Sequence, residues 1–132
     1  MHDHERSQTV DQENALLVRV IMPNDSVSGE PLEELAGLAE TVGVVVVGGI
    51  TQKRQKLDSG SCLGRGKLEE LQQLVTTCDA DVVIFDNDLT PSQTRNLEKT
   101  LSVKVIDRTE LILDIFASNA RTYESRLAVE LA

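Results

Sequence analysis

The sequence predicts an α/β fold, with a small, mainly parallel sheet of four strands and helices on both of its faces. Short runs rich in Val and Ile alternate with segments of helical periodicity along most of the chain. The apolar runs lack polar alternation, which is typical of strands covered on both faces. Strands that alternate with helices of about three turns form parallel sheets. The length of 132 residues fits one such domain.

The first half of the chain supplies two strands and one helix. Residues 1–14 are polar and charged, and we expect a disordered tail there. The run ALLVRVIM, residues 15–22, predicts the first strand, and VVVVGGI, residues 44–50, predicts the second, covered on both faces. Between them, Pro31 suits the first position of a helix whose apolar stripe ends at Gly43.

The second half adds two more strands and their helices. Apolar residues at helical spacing predict a helix before the third strand: Leu68, Leu71, Leu74, Val75 and Cys78. The runs VVIFD, residues 82–86, and VKVID, residues 103–107, predict the third and fourth strands. Thr90, Pro91 and Gln93 predict the next helix N-terminus, because Thr and Gln at this spacing form a capping box.

The C-terminal segment has a different pattern. Asp107 and Glu110 bracket the start of a helix, and RTYESRLAVELA, residues 121–132, follows it. Apolar residues recur every four positions in that segment, as in an amphipathic helix that needs a partner surface. No Gly, Asn or Pro ends the pattern, so we expect the chain to be a fragment of a longer protein.

The charge distribution singles out one segment. The net charge of −9 argues, taken alone, against a nucleic-acid partner, because phosphate contacts dominate such affinity. Residues 51–67 depart from this average, with five bases and one acid, Asp58. The bases are Lys53, Arg54, Lys56, Arg65 and Lys67. Two interpretations stay open: a loop that contacts RNA phosphates, or a mobile and solvated surface loop.

The stretch GSCLGRGKLEEL, residues 60–71, is similar to a phosphate-binding loop but fails its requirements. A P-loop has four residues between its glycines and a Ser or Thr after its lysine. Here Gly60 and Gly66 are separated by five residues, and Leu68 stands at the hydroxyl position. A P-loop follows its strand directly, whereas the preceding predicted strand ends near Ile50, some ten residues before Gly60. The stretch is therefore not expected to be a P-loop.

A simpler anion site is compatible with the same residues. Arg65 and Lys67 stand at the predicted N-terminus of a helix, where free amides attract anions. Gly64, Gly66 and Lys67 are the candidate nucleotide contacts. The alternative is that the glycines only form the turn and the charges are solvated.

Other chemistry has little support in the sequence. Cys62 and Cys78 lack partners at metal-ligand spacing, so we expect reduced thiols and no zinc site. Asp86 and Asp88 after a strand cap turns more often than they bind magnesium. No His follows His4, so nucleophilic catalysis is not expected. The sequence has neither a membrane span nor a signal peptide, so we expect a cytoplasmic location. From the residues above, we expect no metal site and no catalytic residues.

Several charged and amide residues lie around the third helix and fourth strand. They are Arg95, Asn96, Glu98, Asp107 and Arg108. We expect a structural role for them, as polar links between neighbouring elements, although an interface with a further domain is the alternative.

Four stretches carry a resemblance to a known family. LGRGKLEEL, ADVVIFDNDLTPSQTRNLEK, VKVIDRTELILDIFA and ARTYESRLAVELA occur in this order and spacing. Together they resemble the N-terminal domain of the HflX family of ribosome-associated GTPases, over about residues 15–132. The combination of Asp86, Leu89-Thr90-Pro91 and Val105-Ile106-Asp107-Arg108-Thr109 is specific. Glu110, Ser118, Asn119 and Ser125 depart from the family's usual residues.

The resemblance implies a division of the chain into three segments and a ribosomal partner. After the tail, an α/β domain spans residues 15–119, and residues 120–132 begin a helical hairpin that leads to a GTPase domain. That domain's GTP-binding motifs are absent here, so GTP and magnesium are expected there and no cofactor in this fragment. The implied function is binding to the large ribosomal subunit during ribosome splitting or rescue. We expect a monomer without a membrane partner.

Two hypotheses of different classes follow. The first is a noncatalytic ribosome-binding domain, in which the five bases of residues 51–67 together with Arg121 and Arg126 contact rRNA while another face packs on the GTPase domain. Arg121 and Arg126 have a second interpretation, as ion-pair partners of neighbouring glutamates. The second hypothesis is a stand-alone module that binds ATP or GTP through Gly64, Gly66 and Lys67.

Overall fold

The computed structural model describes the backbone of residues 13–131 and the side chains of residues 13–119. Its strands are β1 (Asn14–Ile21), β2 (Val45–Lys53), β3 (Val82–Phe85) and β4 (Lys104–Asp107). Its helices are α1 (Glu33–Thr41), α2 (Arg65–Thr77), α3 (Pro91–Leu101) and α4 (Arg108–Leu131). The predicted α/β fold is confirmed. Most of the predicted tail lies outside the described residues, and β1 begins at the last of its positions.

The four strands form one parallel sheet in the order β2-β1-β3-β4. The chain first moves from β1 to β2 on one side, and then crosses to β3 on the other side of β1. The order of strands therefore reverses between β1 and β3. This reversal creates a topological switch point at the carboxyl ends of those two strands.

Each face of the sheet packs against two helices. On one face, β1 contributes Leu16, Val18 and Val20 to a core that α2 and α3 cover through Leu71 and Leu97. On the other face, alternate residues of the same strands meet α1 and the start of α4. That second core consists of Ala15, Leu17, Leu35, Ala39, Val82, Ile84, Ile106 and Leu111. The prediction of helices on both faces is confirmed, because successive side chains of a strand point to opposite faces.

The second strand packs on both faces of the sheet, with Val47 and Ile50 in one core and Val46 against the other, but it is only partly buried. β2 is an edge strand, and Ile50 is its only residue classed as buried. A β-branched run is typical of central strands and edge strands alike, so composition could not separate them. The strand also extends beyond its predicted end, to Lys53. The first base of the basic segment therefore belongs to the sheet and not to the loop.

Helix termini agree with the predictions at α3 and differ at α1. Thr90 and Gln93 form the predicted capping box, with Gln93 N donating to Thr90 Oγ1 at 3.1 Å and Thr90 N to Gln93 Oε1 at 2.9 Å. α1 begins at Glu33, two residues after Pro31. Pro31 instead lies in the preceding turn, where its carbonyl accepts a 2.9 Å hydrogen bond from Arg19 Nη1.

α4 is one continuous helix of 24 residues. It passes through residues 119 and 120, where a division between the α/β domain and a hairpin is expected, without interruption. The hairpin stays a prediction. None of the helices in the described part of the chain has the length and apolar character that crossing a membrane requires.

Candidate functional site

The carboxyl edge of the sheet is where the candidate residues collect. We use this name for the surface around the ends of β1, β2, β3 and β4, at Ile21, Lys53, Phe85 and Asp107. Ligands of open α/β sheets bind at this edge. The basic segment, residues 51–67, leaves β2 there and enters α2 at Arg65.

A side-chain contact joins the end of β2 to the start of α2. Gly64 precedes α2, and its backbone N–H donates to Gln52 Oε1 at 2.9 Å. A Cβ at this position would overlap Arg54 Nη1 and lie 3.1 Å from Gln52 Nε2. A side chain at Gly64 would displace the ends of Arg54 and Gln52, so glycine suits this packing whether or not an anion binds.

The middle of the basic segment is fixed to α3. Asp58 Oδ1 accepts hydrogen bonds from the backbone N–H groups of Gly60 (2.8 Å) and Ser61 (3.1 Å), and these bonds lower the pKa of Asp58. From α3, Gln93 Nε2 donates to Asp58 O at 2.9 Å and Asn96 Nδ2 to Gly60 O at 3.2 Å. These contacts argue against a freely mobile loop.

Cys62 anchors the same turn in the core. Its side chain is fully buried beside Leu63, and its backbone has a φ of 71°, in the left-handed region. Burial raises the pKa of the Cys62 thiol to about 11. A buried, protonated thiol is a poor nucleophile. Cys62 and Cys78 are both free, in agreement with the expected reduced thiols.

The bases of β2 and the following turn point to different sides of the sheet. Gln52 and Arg54 lie toward α2, since both contact Gly64. By strand alternation, Lys53 points to the α1 side. Lys53 and Lys56 are exposed, and neither has an ion-pair partner among residues 13–119. The predicted RNA-contacting residues thus form a rim around the carboxyl edge and not one flat patch.

The bases at the start of α2 have acidic neighbours on their own helix. Arg65 is exposed, with its Nε 3.9 Å from Glu69 Oε1. Lys67 Nζ lies 3.3 Å from Glu70 Oε1. Exposed pairs of this kind contribute little stability and exchange easily with another anion. The structure brings the predicted nucleotide contacts together at one helix terminus, and their role stays a prediction.

Arg121 and Arg126, the other predicted RNA contacts, belong to α4, but their side chains lie outside the described residues.

An ion-pair network occupies the switch point. Asp86, which follows β3, lies with its Oδ1 3.0 Å from Arg108 Nη1 and its Oδ2 3.5 Å from Arg19 Nε. Arg108 Nη1 also lies 2.6 Å from Glu34 Oε1 in α1. The pKa of Arg108 is raised by its bonds to Glu34 and Asp86. We call these four residues the switch-point network. It ties β1, β3, α1 and α4 together at the edge where α/β proteins of this topology bind ligands, and it lines a cavity of about 450 Å³.

The remaining polar residues of this edge also have structural partners. Asp88 Oδ1 accepts a bond from Thr109 Oγ1, and Asp107 accepts bonds from the backbone N–H groups of Leu89 and Glu110. No group of three or more His, Cys, Asp or Glu side chains within the described residues could hold a metal ion. Each of these two carboxylates thus has a structural role at the carboxyl edge.

The comparisons with known proteins agree on one family. A family model described as "GTP-binding GTPase N-terminal" matches residues 29–117. The GTPase HflX of Caldanaerobacter subterraneus subsp. tengcongensis is 49% identical over 123 residues, which cover 92% of this chain. This chain belongs to the HflX family.

A further HflX relative supports the same assignment, and solved structures are similar in fold. The Escherichia coli HflX is 43% identical over 120 residues, or 91% of this chain. The chain spans 28% of the length of each of these two HflX proteins. Among solved structures, a GTP-binding protein from Sulfolobus solfataricus in complex with GDP is similar in fold, with a TM-score of 0.58 and 22% identity. That match covers 80% of this chain and 30% of the other chain.

A variant of SsGBP is also similar in fold, with a TM-score of 0.65 and 22% identity over 90% of this chain and 37% of that chain.

The sequence did not identify two residues of the carboxyl edge, Gln52 and Arg19. Gln52 holds Gly64, and Arg19 joins the switch-point network, yet both stand in the sequence as ordinary strand residues. No local signal identifies them, because their partners lie 12 and 67 positions away. The signal that pointed to the right region was the local excess of bases in an acidic chain.

Proposed function

We propose that this chain is the domain through which an HflX-type GTP-binding protein contacts the large ribosomal subunit, in ribosome splitting or rescue. Its role is binding and regulation, and GTP and magnesium are bound by a separate GTPase domain. The observation that carries the proposal is the rim of cations around the carboxyl edge, on a segment whose backbone is held by hydrogen bonds to the sheet and to α3. Exposed cations on an ordered backbone suit rRNA phosphates, which position a bound protein.

The GTPase domain is the second partner in this proposal. α4 carries two exposed apolar side chains, Leu113 (60% exposed) and Phe116 (66% exposed). Exposed large apolar groups close together on one helix support a docking surface for another domain. Neither residue belongs to the basic segment, so that rRNA and the GTPase domain would be bound together. A cytoplasmic location follows from the ribosomal partner.

Co-sedimentation with purified large subunits tests the proposal. The variant combines Lys53→Gln, Lys56→Gln and Arg65→Gln, which removes three charges without touching the packed guanidinium of Arg54. We expect weaker binding, and a slope of log affinity against log salt that falls by about one unit for each lost phosphate contact. Circular dichroism should show an unchanged fold.

A matched control, Lys99→Gln with Lys104→Gln, removes two exposed charges elsewhere on the molecule and is compared with the double variant Lys53→Gln with Lys56→Gln. Lys99 lies in the last turn of α3 and Lys104 at the start of β4, outside the carboxyl edge. We expect this variant to bind the subunit almost as the parent chain does. Equal losses in the two variants would show that only net charge matters and would contradict the proposal.

The second hypothesis, a stand-alone nucleotide module, has weaker support. Two of its three groups are already engaged, since Gly64 N donates to Gln52 and Lys67 lies beside Glu70. Titration calorimetry with ATP and GTP, with and without magnesium, tests it directly. Saturable binding that Lys67→Ala abolishes would favour this hypothesis over ribosome contact.

A further inference from the structure

A groove of about 630 Å³ opens on the α1 side of the carboxyl edge, beyond the ends of β1 and β2. Its lining is apolar with a basic border: Ile21, Met22, Pro23, Asp25, Val27, Pro31, Lys53, Arg54 and Gln55. The volume falls within the range of pockets that hold small organic ligands. No residue of the switch-point network lines it.

The wall formed by the β1–α1 connection is held at both ends. At its start, Met22 N donates to Asp25 Oδ2 at 2.8 Å, and Asp25 N donates to Met22 O at 3.0 Å. Near its end, the carbonyl of Pro31 accepts a bond from Arg19. The groove is thus a built feature of the fold and does not depend on an unsupported loop.

β2 and the turn that follows it supply a cation and an amide to the groove. Ile21 and Lys53 are neighbours in the sheet register, and Lys53 points to the α1 side. Gln55 follows two residues later in the same lining, with an amide that can donate and accept hydrogen bonds. Lys53 and Arg54 outnumber the one acid of the lining, Asp25, so the net charge of the lining is positive.

An apolar floor with a cation and an amide at its border suits a flat ring attached to an anion. We propose that this groove binds one unpaired nucleotide of an RNA strand, with the base against Met22 and Val27 and its phosphate at Lys53. The inference rests on the proposed RNA contact and deepens it, because it specifies a single-stranded target. Lys56, exposed on the turn that follows, extends the basic border toward a neighbouring phosphate.

An acidic peptide is the competing occupant, and the charges favour RNA. A peptide would place one or two carboxylates at this border, whereas an RNA strand places a phosphate at each nucleotide and continues along the basic segment. Arg54 also lines the groove, and Lys56 is exposed on the turn that follows, so the border offers more than one cation to a repeating anion.

Fluorescence anisotropy with the 132-residue chain tests the inference. The probe is a labelled single-stranded RNA of about six nucleotides, compared with a blunt duplex of the same length. We expect the single strand to bind at least about tenfold more tightly than the duplex, since only its bases can enter the groove. Lys53→Gln should weaken single-strand binding and lower its salt slope by about one unit.

A matched pair of variants locates the binding site. Val27→Asp places a carboxylate in the groove at a residue that is 38% exposed, while Val45→Asp places one at the opposite end of β2, at a residue that is 49% exposed. We expect Val27→Asp to weaken single-strand binding roughly tenfold or more, through repulsion of the phosphate, and Val45→Asp to change it little. Thermal melts should confirm that both variants fold.

The outcomes separate this inference from the proposed function. Equal affinity for single strand and duplex, or equal effects of the two aspartates, would overturn the groove assignment. Subunit binding that still depends on Lys53, Lys56 and Arg65 would in that case leave the proposed function standing. A labelled acidic peptide that competes for the groove more strongly than RNA would also overturn the inference. If neither subunits nor RNA bind, both proposals fail.

Discussion

Gly49 offers a quantitative test of how closely β1, β2 and α1 pack. It pairs with Leu17 in the register of the two strands. A Cβ on Gly49 would lie 2.5 Å from Leu32 Cδ1 and 3.0 Å from the backbone oxygen of Leu17. The Leu32 methyl can move aside, because it is the end of a half-exposed side chain, but the carbonyl of a central strand cannot. Gly49→Ala therefore requires a shift of β2 against β1.

Two opposing effects set the magnitude. Inserting a methyl group into a closely packed position costs about 1–3 kcal/mol. Removing a glycine from a strand interior returns about 0.5–1 kcal/mol of conformational entropy. The free energy of unfolding should therefore fall by about 1–2 kcal/mol in Gly49→Ala. For a domain of this size, we expect a melting temperature lower by roughly 3–10 °C.

Gly37 provides the matched control. It is exposed within α1, and a Cβ there has no neighbour within 4 Å. Gly37→Ala should raise the free energy of unfolding by about 0.5–1 kcal/mol, because Ala favours the helix. Urea unfolding followed by circular dichroism measures both variants. A midpoint for Gly49→Ala at or above that of the parent chain would refute the packing argument, as would a destabilised Gly37→Ala.

Three further predictions concern the basic segment and the switch-point network. Gln93→Ala should lower the free energy of unfolding by about 1–2 kcal/mol, since it removes a cap of α3 and a part-buried bond to Asp58. Asn96→Ala loses one exposed bond and should lower it by less than about 1 kcal/mol. Urea unfolding midpoints compare the two variants. Burial raises the pKa of the Cys62 thiol from 9.0 to about 11 in the folded chain. The contribution of Cys62 to the free energy of unfolding is therefore fully present below pH 9 and is lost as the pH rises toward 11. Unfolding measured from pH 8 to 11 should show a loss of stability that Cys62→Ala lacks. Asp86→Ala leaves Arg19 and Arg108 without their shared partner and should cost about 1–3 kcal/mol. Asp88→Ala, which loses one exposed bond to Thr109, should have a clearly smaller effect on the same unfolding curves.

Local signals made the alternating elements and the α3 capping box predictable. Thr90, Pro91 and Gln93 specify a helix N-terminus within four residues, and the structure has it there. The second role of Gln93, a bond to Asp58 from 35 positions away, has no local signal. The same side chain thus illustrates what periodicity and capping rules can reach and what only the tertiary fold determines.

Two features that the sequence did not predict have a common physical origin. The edge position of β2 and the start of α1 after Pro31 both depend on partners distant in sequence. β2 lies at an edge because β3 pairs with the other side of β1, and Pro31 lies outside α1 in a turn that Arg19 holds. Intrinsic preferences for strand and helix were satisfied in both cases, and tertiary contacts chose between the remaining options.

The charge of the whole chain is a poor guide to its carboxyl edge. The switch-point network pairs two arginines with two acids, so its charges largely neutralise one another. At physiological ionic strength, charges more than about 8 Å apart are largely screened. If the proposed RNA contact holds, acids remote from Lys53 and Lys56 should therefore do little to repel the strand. We expect the local excess of bases, and not the net charge of −9, to determine binding.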